Sequence, residues 1–422
     1  MKNPLINLNM DNCKYWLLPI IVLSPSFQLF VGYPCIRIEY IFLFFYIFFS
    51  FLKYALAKKI VKPSFDCVGL LFSLMMISCI ISIEYSIMFL EYNFKINDFF
   101  LIIQLFLYYS IFYIAKTLYT KEGNVFKIYK FLAISGVFVA LFSILQYFNI
   151  LEINRKILVP LYFYNAPLAQ TKAFNLVQGV HWRRIVGTFG NPNYCGMFFA
   201  ILLAATSSYY LFPVKGKLKL HHFFIIEIVI ITLIILTGSR TAIFSFVIIT
   251  VFSLFLGKLK IKKLRYFFII MIGVIFILVF ITPQYFVGRI FSEYTSFHEH
   301  LSMFKEAFKE INKSPVLGLG PAKIQLTSTV DNEYLLYWRR YGLIGVILFL
   351  LLHVCMFIKG FLKFSKGKIT IENNIGLLTM QLAIIWSIFG LTSDVFKNPQ
   401  MMGIIFFLTG LSWAKLPEED KK

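Results

Sequence analysis

The sequence predicts an all-α, polytopic membrane protein of about twelve transmembrane helices, with both termini inside and two larger extracytoplasmic loops. Three observations carry this. Of the 422 residues, 59% are hydrophobic and only 14% charged. Apolar windows of about 18 residues or more, the length a bilayer core demands of a helix, recur along most of the chain. The basic residues are spread unevenly over the loops between those windows. Residues 1–422 therefore read as a single integral membrane domain.

Twelve apolar spans centre on residues 15–31, 38–57, 66–84, 99–116, 130–147, 192–212, 222–237, 240–257, 266–282, 334–358, 374–392 and 399–414. Each has about the length that crosses a ~30 Å core at ~1.5 Å per residue. The first apolar run is followed by no small-residue cleavage site and at once by another run, so it reads as a retained span rather than a signal peptide. With the N-terminus inside, the inner segments hold 25 of the 41 basic residues and the outer segments 16. The short outer loops near 32–37, 85–98, 238–239 and 393–398 carry at most one each, the inner ones three to five. This bias orients the chain N-in and C-in. It also absorbs the net charge of +21, which in a soluble chain would suggest nucleic acid, so no nucleic-acid partner is expected. The six cysteines (13, 35, 67, 79, 195, 355) form no C-x-x-C, and neither a disulfide framework nor a metal site is indicated.

The two longest loops, 148–191 and 283–333, both fall outside, and loops of such length are usually functional when they are ordered. The second carries HEHLSMFKEAFKEINKS, in which Leu301, Phe304, Phe308 and Ile311 recur at helical spacing. That is an amphipathic helix lying over the membrane face, either part of a catalytic site or a plain structural cover.

Arginine and lysine are used differently. There are 32 Lys against nine Arg, and of the arginines only Arg265 is on the inner side, whereas only eight lysines are outside. Lysine handles topology. A guanidinium offers a planar fork matched to phosphate or carboxylate and stays charged when partly desolvated, so outer arginines point to an anionic ligand, or to lipid phosphates and loop carboxylates. In LTGSRTA, Gly238 reads as the end of the seventh span and Ser239 as the N-cap of the eighth. Arg240 then stands in a first helical turn, the wrong end of the macrodipole for a cation, unless an anion is shared between its guanidinium and the free helix amides. In WRRIVGTFGNPN, Asn191 and Pro192 read as N-cap and N1 of the sixth span, which leaves Arg184 as the ligand candidate. In VDNEYLLYWRRYGLIG, Asp331 opens the tenth span either as an ordinary N-cap or as a carboxylate facing the same cavity, with Arg339 and Arg340 two turns on. Inside the spans only Gln104, Gln146, Glu227, Gln381 and His353 are polar candidates, with Glu227 near enough to the basic inner loop to snorkel or pair with it. No proton relay is apparent among them.

RIVGTFGNPN, LTGSRTA, and SPVLGLGP followed by VDNEYLLYWRRYGLIG occur in that order, with the large outer loop before the last. In this the chain resembles the O-antigen ligase and O-antigen polymerase superfamily of bacterial surface-polysaccharide enzymes, over about residues 184–345, the first five spans matching in topology only. The resemblance implies a metal-independent glycosyltransferase without cofactor, facing outward from the bacterial cytoplasmic membrane. It would take a glycan linked through pyrophosphate to undecaprenol and transfer it to an acceptor hydroxyl. By motif, Arg184, Arg240 and Arg289 would hold the pyrophosphate with Arg339 and Arg340 as auxiliary cations; Asp331 would serve the acceptor, with Asn332 and Tyr334 as auxiliary groups. His300, where relatives often carry Arg, would take up a phosphate or a proton or be a solvated loop residue. Ligases of the family resemble HN-x-Y-L at the start of the tenth span, whereas this chain has Asp331-Asn332-Glu333-Tyr334-Leu335, the form of the polymerase branch. The expectation is thus a polymerase of O-antigen or capsule repeat units, with a chain-length regulator as a possible partner. The alternatives are a ligase acting on a lipid A core and, in a different class, a lipid-linked oligosaccharide transporter. Against the transporter, the chain shows no six-plus-six echo, and its polar groups collect at one face.

Overall fold

The computed structural model describes residues 10–24, 26–27, 36–56, 66–94, 96–118, 122–158, 184–214, 219–256, 294–321, 330–366 and 370–414. The expected ninth span and Arg289 lie outside these, as does most of the first long loop. The helices are α1 (Met10–Leu23), α2 (Ile38–Leu56), α3 (Cys67–Leu90), α4 (Phe100–Lys116), α5 (Glu122–Tyr147), α6 (Pro192–Leu211), α7 (Leu220–Thr237), α8 (Arg240–Leu256), α9 (Tyr294–Ile311), α10 (Glu333–Lys366), α11 (Thr370–Gly390) and α12 (Pro399–Gly410). Helices occupy eleven of the twelve expected span positions; α9 is the amphipathic helix of the second long loop. Five of them, α3, α5, α6, α10 and α11, are long and apolar enough to cross a membrane. Regular structure among the described residues is thus helical apart from one pair of two-residue strands, the architecture of a polytopic membrane protein.

The first span is shorter than expected. α1 ends at Leu23 because Pro25 follows Ser24 in the sequence, and a residue before proline is pushed out of the helical region. Ser26–Phe27 then pairs antiparallel with Ile36–Arg37, and the Ser24 hydroxyl accepts from the Ile38 amide at 3.2 Å, joining the pairing to the start of α2.

The core is centred on α6 and α12. Every residue of α12 after Pro399 is buried, as is most of α6, the state of a helix apolar all round with no face to give to lipid or water. Where helices carry small residues they close up. A side chain at Gly376 of α11 would sit 2.7 Å from the Gly360 carbonyl oxygen and 2.6 Å from the Phe364 nitrogen of α10. In lipid such packing replaces the hydrophobic drive between helices.

Several buried polar groups are satisfied between helices, as a low-dielectric interior favours. Gln381 donates to Ser253 at 2.7 Å and Ser207 at 3.3 Å and accepts from Ser208 at 2.8 Å, tying α11 to α6 and α8. Asn374 donates to the Phe212 carbonyl at 2.9 Å and accepts from Tyr129 at 2.7 Å. Glu227 corrects the expectation of snorkelling. It is 2% exposed and accepts from the Thr206 hydroxyl at 2.7 Å, held between α6 and α7.

Gly376→Leu is expected to force α10 and α11 apart and to lower the thermal midpoint of the detergent-solubilised protein. Fluorescence-detected size exclusion after heating checks this, and an unchanged midpoint would contradict the close contact.

Candidate functional site

The site is built where α10 breaks. Gly342 has φ 64° and ψ −167°, a backbone region that is essentially glycine's alone. A side chain there would drive into the Val316 carbonyl, and one at Gly318 (φ 78°) into the Arg340 carbonyl. The break frees helix carbonyls on one side and amides on the other, and buried backbone groups must find partners. Residues 315–320 supply them. Leu319 and Gly320 amides donate to the Arg339 and Arg340 carbonyls at 2.9 and 2.8 Å, and Leu343 and Ile344 amides donate to the Pro315 and Val316 carbonyls at 2.9 and 3.5 Å. Ser82 of α3 donates to the Leu317 carbonyl, and the Trp338 indole to that of Pro315 at 3.0 Å. SPVLGLGP and YWRRYGLIG are therefore two halves of one structural unit.

This unit carries the paired arginines. Arg339, 3% exposed, donates from Nη1 to Glu310 Oε2 of α9 at 2.9 Å. It anchors the amphipathic helix. α9 buries Ala307 and Ile311 beside it, while Leu301 and Phe308 of the expected stripe stay exposed. The positive charge of Arg340 favours the ionised form of Asp394, in the loop between α11 and α12. The Arg340 Nε is buried and takes no hydrogen bond among the described residues.

At the start of α10 the N-cap is Asn332, not Asp331. Asn332 Oδ1 accepts from the Leu335 amide at 2.9 Å, and its carbonyl from Leu336 at 3.0 Å. Asp331, one residue earlier, is exposed and spared that duty. Glu333 is fully buried; its carboxylate accepts from the Phe396 amide, and from the Trp386 indole at 3.2 Å. Asn332 also donates to the Leu391 carbonyl at 3.1 Å, and Tyr334 to that of Ser387 at 3.0 Å. Asn332 and Glu333 moor the α11–α12 loop that carries Asp394, and Tyr334 holds the last turn of α11 beside it.

The α7–α8 hairpin reaches the same loop from the other side. Gly238 is left-handed (φ 58°) and closes α7, and Ser239 Oγ accepts from the Ala242 amide at 3.4 Å, capping α8 as the sequence predicts. Gly196 of α6 lets the turn approach, since a side chain there would meet Ala242 Cβ at 2.7 Å and Ser239 Cβ at 3.1 Å. Arg240 is exposed in the first turn of α8. Its neighbour Thr241 is hydrogen-bonded to Thr392 at 2.7 Å. Arg240 and Asp331 thus flank one short loop, through Thr392 and Leu391.

Arg184 is placed as a clamp. It donates to the carbonyls of Thr237 at 2.8 Å and Gly238 at 3.3 Å and to Asn193 at 3.4 Å. These are the open carbonyls at the C-terminus of α7, where a cation is favoured. Behind it, Gln146 Oε1 accepts from the Val186 and Gly187 amides at 3.0 and 3.1 Å, and Asn191 caps α6 on the Asn193 amide at 2.8 Å with Pro192 at the first helical position. His300 lies in α9, with its side chain outside the described residues.

Asp394 is the group that sequence reasoning misses. Burial pushes its carboxyl above the usual range, against the pull of Arg340 and Lys397 and a hydrogen bond from the Lys397 backbone, while Asp331 adds to the rise. Tyr194 of α6 donates to the Asp394 carbonyl at 3.0 Å. The end of the bundle thus carries a carboxyl held less acidic than usual, a second carboxylate, and guanidinium groups at α8 and α10. Such a set can accept a proton and stabilise a departing anion.

Gly342→Ala is expected to cost at least ~1–3 kcal/mol, from backbone strain alone, read as a lower thermal midpoint. For the Arg339–Glu310 pair, either single change to a neutral residue should destabilise by a few kcal/mol, with strong coupling in a double-mutant cycle. Additive effects would contradict the anchor.

Residues 225–350 match the family described as O-antigen ligase. No curated protein matches the chain. The match takes in the α7–α8 hairpin, the glycine loop and the broken half of α10; RIVGTFGNPN precedes it. Over residues 225–350 the chain is therefore similar to the O-antigen ligase family.

Proposed function

We propose that the protein polymerises undecaprenyl-pyrophosphate-linked repeat units at the outer face of the bacterial cytoplasmic membrane, with twelve spans and both termini inside. The family supports glycosyl transfer of the ligase or polymerase type. The observation that carries the finer reading is the α11–α12 loop that bears Asp394, which receives Asn332 of the α10 cap and Thr241 of α8 at the end of the bundle where the start of α8 presents Arg240, with burial holding the Asp394 carboxyl above its usual range. The incoming sugar hydroxyl attacks the anomeric carbon of the lipid-linked glycan. The bond from that carbon to the pyrophosphate oxygen breaks, undecaprenyl pyrophosphate departs, and the hydroxyl proton passes to Asp394.

In this reading Arg240 and Arg340, with Arg289 from the large loop, receive the growing charge of the pyrophosphate, each well-placed donor contributing several kcal/mol. Arg184 acts mainly by fixing the hairpin that presents Arg240, and Arg339 by anchoring α9. Asp331 orients the acceptor. The form DNEYL favours the polymerase branch, in which the next repeat unit supplies the hydroxyl; the family's own description, O-antigen ligase, favours the second reading, transfer to a lipid A core. A chain-length regulator would be a partner of the polymerase only.

Purified protein given a lipid-linked repeat unit alone should yield a ladder of products. Transfer only onto a lipid A core would overturn the polymerase in favour of the ligase. Arg240→Lys, which keeps charge but loses the fork, should lower kcat; full activity would remove the clamp.

The pH profile tests Asp394. A base must be ionised, so activity should fall as pH drops through its raised pKa, at a higher pH than for an ordinary carboxylate. Arg340→Gln removes a cation that holds the carboxyl down, and should move this limb further up. Asp394→Asn should abolish the limb and reduce kcat by about 10²–10⁴; a variant retaining activity and the limb would exclude Asp394 as the base.

A further inference from the structure

At the end of the bundle away from this site, Cys67 in the first turn of α3 and Cys355 of α10 stand with their sulfurs 2.7 Å apart. They are 288 residues apart in sequence, and nothing in their spacing suggests a pair. We propose that they form a reversible dithiol–disulfide site, oxidised by a hydroperoxide.

The surroundings favour this over an inert buried pair. Cys67 is exposed and both sulfurs carry free thiols, whereas Cys79 and Cys195 are buried. Asp66 caps α3 by accepting from the Gly69 amide at 2.7 Å and pairs with Lys116 of α4 at 2.6 Å. Lys359, one turn beyond Cys355, extends over the Trp413 ring at 5.6 Å from its centroid. Charged groups on both sides of the pair mark the boundary of the apolar layer, where a polar oxidant has access. Sulfurs this close need only a small rotation about their side-chain bonds to reach disulfide length, ~2.05 Å.

The more exposed thiol reacts first. Cys67 sulfur attacks the peroxide oxygen, giving a sulfenic acid and an alcohol. Cys355 sulfur then displaces the hydroxyl, which leaves as water with the second thiol proton, and the S–S bond forms. The peroxide takes the electron pair, and a dithiol reductant reverses the step. The bond would join the two helices that hold the glycine loop at their other ends, α3 through Ser82 and α10 through its break. A link of this kind restricts the unfolded chain over a very long loop.

The test uses the full-length protein, in native membranes and in detergent. After cumene hydroperoxide and then N-ethylmaleimide, digestion should give a peptide joining Cys67 to Cys355, two hydrogens lighter than the sum of its parts. Dithiothreitol should release it, and Cys67→Ser and Cys355→Ser should each lack it. The thermal midpoint should rise on oxidation of the wild type but not of Cys67→Ser. The proposal is overturned if both thiols of the oxidised wild type are recovered alkylated, or as sulfinic acid, with no linked peptide. None of these readouts depends on glycosyl transfer.

Discussion

Four backbone hydrogen bonds between residues 315–320 and 339–344 hold the site together. A helix that breaks within a packed interior exposes amides and carbonyls that need partners, so the break survives only where other protein backbone replaces the lost helical bonds. Residues 315–320 do this, and glycine at 318 and 342 is what lets the two backbones approach. The break follows directly on the Arg339–Arg340 pair, of which Arg339 is ion-paired with Glu310 of α9, while the charge of Arg340 favours the ionised form of Asp394 in the α11–α12 loop.

The same loop draws in the remaining parts. Residues 391–396 receive Asn332, Glu333, Thr241 and Tyr194 from α10, α8 and α6. Positions far apart in sequence are thereby brought to one end of the bundle. Each contact is made by a helix end, where the backbone has unused donors or acceptors and where charge is best placed against developing charge. That is a fitting setting for a reaction whose difficulty lies in a departing anion and a poorly acidic hydroxyl.

Much of this was legible in the sequence, and the pattern of what was not is physical. Helix positions follow from apolar length, and Asn191, Pro192, Gly238 and Ser239 perform the capping roles their chemistry predicts, because capping depends on a few adjacent residues. Asn332 displacing Asp331 as N-cap is a shift of one residue between two equally good caps. Asp394 was not legible because a lone carboxylate in a short loop has no motif; its meaning lies in Arg340, which no local pattern connects to it. Glu333 was hidden in the same way, since its partners are a distant indole and a distant amide. The break at Gly342 was hidden because a glycine within an apolar run is common, and only the facing loop shows that it has a special conformation. Arg184 was read as a ligand from its charge, and its bonds to the Thr237 and Gly238 carbonyls give it a prior task.

The central claim, that a glycine-enforced break in α10 is stitched to the 315–320 segment, is tested most directly by amide hydrogen exchange in the folded protein. Leu319 and Gly320 lie outside any helix, yet their amides are bonded to the Arg339 and Arg340 carbonyls. The account predicts that both exchange slowly, together with Leu343. Exchange at the rate of an unstructured peptide at Leu319 and Gly320, with α10 itself protected, would contradict it.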